Sequence, residues 1–444
     1  MRGATHRVPG LVLTEHLFEV PLRHPSVWGE AEPGTPAAAL ADETIEVFAR
    51  EVVAPAREGE DLPWLVFLQG GPGFGSPRPH ERSGWLDRAL RDHKVLLLDQ
   101  RGTGRSSPVS HQTLAGLDAA TQAEHLACYR ADSIVADAEA IRRELLGDRR
   151  WTVRGQSFGG FCALTYLSAS PHGLERVLVT GGLPSLDRPA ADVYRHTWPR
   201  VRDRNARYYA RYPDDVDRVR RLVDHLGEHE VRLPDGDRLT PRRLQQLGLE
   251  FGMSDGFERV HYLLEEAFAR DGAGGRVPLI SEPFLRVLDH LMPYQGHLLF
   301  SILHEAAYCQ GEASHWAAHR VAAEFPEFDP AGDGPVHFTG EMIFPWMFEE
   351  YAALRPLAEA AELLARKDDW PALYDPDALA HNEVPCAAVV YEDDMYVERT
   401  WSLETAGRVG SLRVWHTNEY DHNALRADGV RVLGRLLDMV AGEA

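Results

Sequence analysis

Cysteine is scarce in this chain: Cys128, Cys162, Cys309 and Cys386 are scattered over 444 residues without any CxxC spacing. That scatter excludes a disulfide framework and a zinc knuckle, and makes a reducing cytoplasm the expected location. Long apolar runs are missing too. No stretch reaches the roughly 18 uninterrupted apolar residues of a membrane helix, and the opening MRGATHRVPGLVLTEHLFEV breaks its run at Thr14, Glu15 and His16. Neither a signal peptide nor a membrane partner is therefore expected. Positive charge is in deficit, with 47 Lys and Arg against 68 Asp and Glu and a formal net charge of −21. A nucleic-acid partner needs a basic stripe to displace counterions, so that class of function is excluded. HExxH, clustered metal-ligand spacing and the GxxxxGK[ST] phosphate loop are all absent, so no metal or organic cofactor is expected.

What is present has α/β grammar. Apolar runs at 11–22, 44–53, 65–69, 94–100, 151–156 and 176–182 are rich in Val, Leu and Ile. Several are nearly continuous, as in strands buried on both faces of a parallel sheet. Between two of them, 132–147 repeats apolar residues at Ile134, Val135, Ala138, Ile141 and Leu145, a helical period that Asp132 can cap and Gly147 can end. Such βαβ order favours right-handed crossovers in an α/β fold. From about Leu186 to Asp369 strand-like runs vanish and amphipathic helical stretches dominate, punctuated by PDGD, DGAGG and DPAGDGP. Strand patterning returns at 385–394 and 411–417. The expected organisation is a discontinuous α/β domain, 1–185 and 371–444, with an all-helical cap at 186–370.

Within WTVRGQSFGG (151–160), Gly155-Gln156-Ser157-Phe158-Gly159 matches G-x-S-x-G. The chemistry behind the pattern is a sharp strand-to-helix turn that lifts a serine hydroxyl clear of the backbone, with glycines where a Cβ would collide. The helix that follows lends free N–H groups to developing negative charge. The pentapeptide alone is weak, but a strand ends at it and a helix-compatible run follows. Ahead of it, LVFLQGGPGFGSP (65–77) runs a strand into Gly70-Gly71-Pro72-Gly73, a loop whose amides can approach a ligand closely. In DQRGTGRSSP (99–108), Asp99 and the arginines read as a strand-end turn that fixes neighbouring loops.

A serine nucleophile needs a base and an orienting acid, in this kind of fold ordered Ser, Asp/Glu, His. The loop after a late strand offers Glu392, Asp393 and Asp394; of these Asp394, furthest past the strand, is expected, with Asp393 the alternative. Beyond the last strand stand His416 and His422. His416 falls in the strand, whereas His422 lies in the polar loop where catalytic groups concentrate, and is expected as the base.

Taken together, GGPG, DQRGTGRS, GQSFGG and the late Asp and His resemble the α/β-hydrolase fold, with a mostly parallel central sheet and an inserted helical cap. Within that fold they resemble the proline iminopeptidase family. The cap segments HEAAYCQ (304–310) and FTGEMIFPWMFE (338–349) are similar to those of the longer, actinobacterial-type members. The resemblance implies Ser157 as nucleophile, His422 as general base, Asp394 as its orienter, and the amides of Gly71 and Phe158 as the oxyanion hole. It also implies that Glu305 and Glu341 hold a substrate's free α-amino group, since a buried ammonium needs carboxylate partners. Two departures stand out: Gln69 replaces the histidine often found before GGPG, and DHN (421–423) replaces the commoner GHS around the last triad member.

The implied activity is serine exopeptidase hydrolysis after an N-terminal proline or another small residue of a short peptide. Two other readings use the same residues: an esterase or amidase acting on a small metabolite, and a hydrolase-like receptor with little turnover.

Overall fold

In the computed structural model, residues 2–270 and 275–443 are described. The strands in chain order are β1 (Arg2–Val8), β2 (Leu11–Pro21), β3 (Thr44–Val53), β4 (Trp64–Leu68), β5 (Lys94–Leu98), β6 (Trp151–Gln156) and β7 (Leu174–Thr180). They continue with β8 (Phe268–Arg270), β9 (Arg276–Ile280), β10 (Cys386–Tyr391) and β11 (Leu412–Thr417). Nine of them form one sheet in the order β1-β2-β3-β5-β4-β6-β7-β10-β11. The first three pairings, from β1 to β5, are antiparallel. From β5 to β11 every pairing is parallel, so the sheet is mostly parallel, as the apolar runs predict.

Strand alternation sends successive residues to opposite faces, and both faces are covered. On β4, Leu65 and Phe67 pack with Leu86, Leu433 and Leu436 from the helices Gly84–Ala89 and Ala424–Ala441. Val66 and Leu68 pack on the other face with Ile134, Ile141 and Phe161 from the helices Ala131–Leu146 and Phe158–Ala169. Burying both faces is what makes WLVFL read as an unbroken apolar run. The helix expected at 132–147 starts one residue earlier. Arg130 occupies its N-cap, so Asp132 lies in the first turn instead of capping it, and Gly147 ends the helix at φ 63°.

β5 and β6 flank β4, so the loops leaving β4 and β6 meet at the carboxyl edge, where such sheets bind ligands. Between β7 and β10 the chain is mainly helical, including Ala190–Arg211, Asp214–Glu228, Gly256–Glu265, Glu282–Leu291 and Ala358–Arg366. Its core is continuous with one face of the sheet through Trp198, Phe338 and Tyr351. The all-helical expectation needs correction here: β8 and β9 form a two-stranded antiparallel sheet. Strands this short carry no legible period, and the glycines between them read as punctuation. Among the described residues no helix is long and apolar enough to cross a membrane.

Candidate active site

β6 ends at Gln156, and Ser157 takes φ 52° and ψ −125° before the helix Phe158–Ala169 begins. That backbone is rare for a residue with a side chain, and it has the strained strand-to-helix geometry that a nucleophile elbow requires. Its glycines are required by contact: a Cβ on Gly155 would lie 2.2 Å from Gly159 O, and one on Gly159 would lie 2.0 Å from Leu68 O. The glycine loop after β4 is pressed against the same spot, because a Cβ on Gly70 would meet the Ser157 Cβ at 2.9 Å. The Asp99 carboxylate holds this loop region, accepting from the amides of Ser76 and Arg105, each at 2.9 Å, and from Arg78 at 2.8 Å. Arg101 is buried against Asp137 and the carbonyls of Leu22 and Cys128. DQRGTGRS is thus a brace for the site's loops.

The loop after β10 carries Asp394 and the loop after β11 carries His422. Both side chains are buried, and His422 Nδ1 stands 2.8 Å from Asp394 Oδ2. The other carboxylate oxygen accepts from the amides of Tyr396 at 2.9 Å and Val397 at 3.1 Å, which locks the acid in place. Nδ1 being engaged leaves Nε2 as the nitrogen available for proton transfer. Burial acts to lower the His422 pKa, but Asp394, Glu341 and Asp421 outweigh it and hold it above the ordinary imidazole value. The rival residues are occupied elsewhere. Asp393 pairs with Arg207 at 2.6 Å, and His416 pairs with Glu392 at 2.7 Å.

Ser157 and His422 line one cavity of about 260 Å³ with Gly71, Glu341 and Tyr396. Its walls include the apolar side chains of Phe74, Leu249, Met253, Leu291 and Phe300. Phe158 opens the helix directly after the serine, and its amide, like that of Gly71, meets no acceptor among the described residues. Glu341 is the cavity's most unusual group. Its carboxylate has no hydrogen bond or ion pair among the described residues, and it keeps some accessible surface while protein encloses it deeply. Burial raises its pKa to about 7; the opposing effect of His422 is smaller, and the nearby Asp394 raises it further.

Glu305, expected beside Glu341, is placed differently. Its two oxygens accept from the amides of Ala317 at 2.9 Å and Ala318 at 2.8 Å, at the start of the helix Ala317–Ala322. It lines a separate small cavity with Ser301, Ser314 and Trp316, away from Ser157. The two orphan amides of a helix N-terminus outcompeted the pocket for this carboxylate. Sequence reasoning missed Glu250, which lines the Ser157 cavity and bonds to Arg259 at 2.9 Å. Burial raises its pKa against the pull of Arg259. Nothing in the motif pattern marks it, since it sits in the 3-10 helix Gln246–Gly252 with no strand-end signature.

An elbow serine, a buried His–Asp pair and adjoining free amides at the carboxyl edge of a parallel sheet define a serine hydrolase of the α/β-hydrolase class. In agreement, residues 63–301 match the family model of the alpha/beta hydrolase fold. A proline iminopeptidase of Aeromonas sobria is 49 % identical over 428 residues, covering 96 % of each chain. Proline iminopeptidase aneH of Aspergillus aculeatus is 37 % identical over 443 residues, covering 97 % of this chain and 94 % of its own. A shorter match, 31 % over 133 residues, is to a proline iminopeptidase of Neisseria meningitidis and covers 29 % of this chain. The chain belongs to the proline iminopeptidase family.

Proposed function

We propose that this protein is a serine exopeptidase that releases proline, and small residues of similar size, from the N-terminus of short peptides. The observation that carries the reading is the unpaired Glu341 carboxylate in the cavity of Ser157 and His422. An ammonium entering that cavity gains a charge-assisted partner and supplies the countercharge that a buried carboxylate lacks. The apolar walls suit a pyrrolidine ring, and the full-length relatives named proline iminopeptidases support the same substrate.

In this reading His422 Nε2 takes the proton of Ser157 as its Oγ attacks the carbonyl carbon of the first residue. The resulting oxyanion is held by the amides of Gly71 and Phe158, and Asp394 stabilises the imidazolium. His422 then protonates the departing amine, the C–N bond breaks, and water releases the acyl group by the reverse relay. Residues 186–370 act as the cap that covers the site and restricts substrates to short chains, with 1–185 and 371–444 as the catalytic unit. The four cysteines are unpaired and buried, which supports a reducing, cytoplasmic setting.

The test compares proline p-nitroanilide with its N-acetylated form. Blocking the amine should lower kcat/KM by at least about 100-fold, the cost of stranding a buried charge. Equal rates on both would replace the exopeptidase reading with a general amidase.

A further inference from the structure

One cap helix reaches both loops that carry the His–Asp pair. On Ala190–Arg211, the residues Arg200, Arg204 and Arg207 follow the i, i+4, i+7 spacing of a single helix face. Each meets a carboxylate of the catalytic unit. Arg200 bonds to Glu398 at 2.8 Å and Arg207 to Asp393 at 2.6 and 3.0 Å, both in the loop of Asp394. Arg204 bonds to Asp421, the residue before His422. On the other side of His422, a second cap segment closes in. His422 N donates to Gly252 O at 3.1 Å, Ser254 N to Asn423 Oδ1 at 3.1 Å, and Asn423 Nδ2 to Ser254 Oγ at 3.0 Å. Gly252 cannot carry a side chain, because a Cβ would fall 2.1 Å from the Tyr396 ring.

We infer that the cap is a positioning element of the catalytic base and acid, with Arg204 and Arg207 setting the register between their loops. The inference rests on the reading of Asp394 and His422 as the acid–base pair. Asp394 and His422 are on separate loops, and a 2.8 Å contact between loops needs a common frame. The arginine face supplies one frame and the Gly252–Ser254 segment another. This also accounts for DHN in place of GHS: Asp421 and Asn423 are the two side chains through which the base loop is gripped. It accounts for Asp393 as well, which serves as the grip on the acid loop. Cap and triad are therefore one mechanical unit, and a shift in the cap moves the base relative to the serine.

The test uses the full-length enzyme with Arg204→Met, Arg207→Met and His422→Ala, assayed on proline p-nitroanilide well below the melting temperature. Arg207 is about half exposed, so its pair contributes little to stability and Arg207→Met keeps the fold even if Arg204→Met does not. Arg204→Met should lower kcat by about 10- to 100-fold, as a misplacement near 1 Å does, and Arg207→Met, whose pair is exposed, by about two- to fivefold, with KM changed less than about threefold in both. Arg204→Met should also move the acid limb of the kcat profile to higher pH. It frees the Asp421 charge beside His422, which among the described residues also neighbours Asp394, Glu341, Tyr391 and Tyr396 and shares its cavity with Glu250. Arg204→Lys should restore part of kcat. A lower melting temperature with kcat and the acid limb unchanged in both arginine variants would overturn the inference. If His422→Ala itself kept full activity, the reading of the base would fall instead, so the two failures are distinct.

Discussion

Asp394 offers one oxygen to His422 Nδ1 at 2.8 Å and the other to two backbone amides, so its carboxylate is fixed from its own loop, as the orienting acid of the proposed mechanism must be. An asparagine that keeps its oxygen on the two backbone amides would turn its NH2 donor to Nδ1 and reverse the ring's tautomer. Asp394→Asn is therefore expected to lower kcat on proline p-nitroanilide by about 10³- to 10⁴-fold. Asp393→Asn should leave the His422 tautomer intact and lose far less. Steady-state kinetics of the two variants side by side decide this, and equal losses would reject Asp394 as the orienter.

In the proposed mechanism Ser157 carries the reaction, and its backbone carries strain as well. Ser157→Ala should abolish anilide turnover while keeping φ 52° on a residue with a Cβ. Ser157→Gly removes the strain, worth about 1–3 kcal/mol, and adds unfolded-state entropy worth about 0.4–1 kcal/mol. The glycine variant should therefore be more stable than the alanine variant by about 1 kcal/mol in denaturant titrations. The reverse order would show that the elbow is unstrained.

In the proposed mechanism two groups in the cavity set the pH dependence. His422 must be neutral to accept a proton and Glu341 must be charged to pair with an ammonium. With Glu341 near 7 and His422 raised above its ordinary value, kcat/KM for proline p-nitroanilide should climb as pH rises through about 7. Glu341→Gln should cut kcat/KM by about 100-fold and leave a single ionisation on the acid limb. A profile of the variant identical in shape to that of the parent would count against Glu341.

The same carboxylate burdens the fold. Its folded pKa is raised, so the native state binds the proton more tightly than the unfolded chain. Stability is then full below the ordinary carboxylate range and falls as pH rises from about 4.5 to about 7. Glu341→Gln should be more stable than the parent at pH 8 by about 1–3 kcal/mol and equal to it at pH 4. Thermal melts at the two pH values measure this directly.

Burial raises the Glu305 pKa too, but its oxygens are both hydrogen-bonded, so its loss should cost the fold instead of relieving it. Removing its carboxylate strands the amides of Ala317 and Ala318 in a buried helix start. Glu305→Ala is expected to destabilise the fold by about 2–4 kcal/mol while changing kcat/KM for proline p-nitroanilide less than about threefold. A large kinetic loss without a stability loss would return Glu305 to the substrate.

The long apolar strands were legible because burial on both faces of a parallel sheet writes a continuous run, as at Trp64–Leu68. β1 was not. Its residues are mostly exposed on the sheet edge, so RGATHRV has no buried face to impose a period. The elbow was legible because a forbidden Cβ is a property of a position, and glycine records it. Glu341 was marked by the aromatic run of Phe338, Phe344, Trp346 and Phe348 around it, whereas nothing local showed that Glu305 would turn to a helix start.

The sequence by itself determined the order of the long buried strands, the strand-to-helix turn at Ser157 and the late loops that carry Asp394 and His422, because local sterics and burial leave marks in local residue choice. Only the tertiary structure decided which carboxylate meets which partner. Asp393 and Asp394 are adjacent in the chain, yet one reaches Arg207 and the other His422. Glu305 goes to a helix start and Glu341 to the cavity, and Arg204 and Arg207 go to loops about 190 to 220 residues away. Those pairings depend on distances across the fold, and long-range distance leaves no local pattern to read.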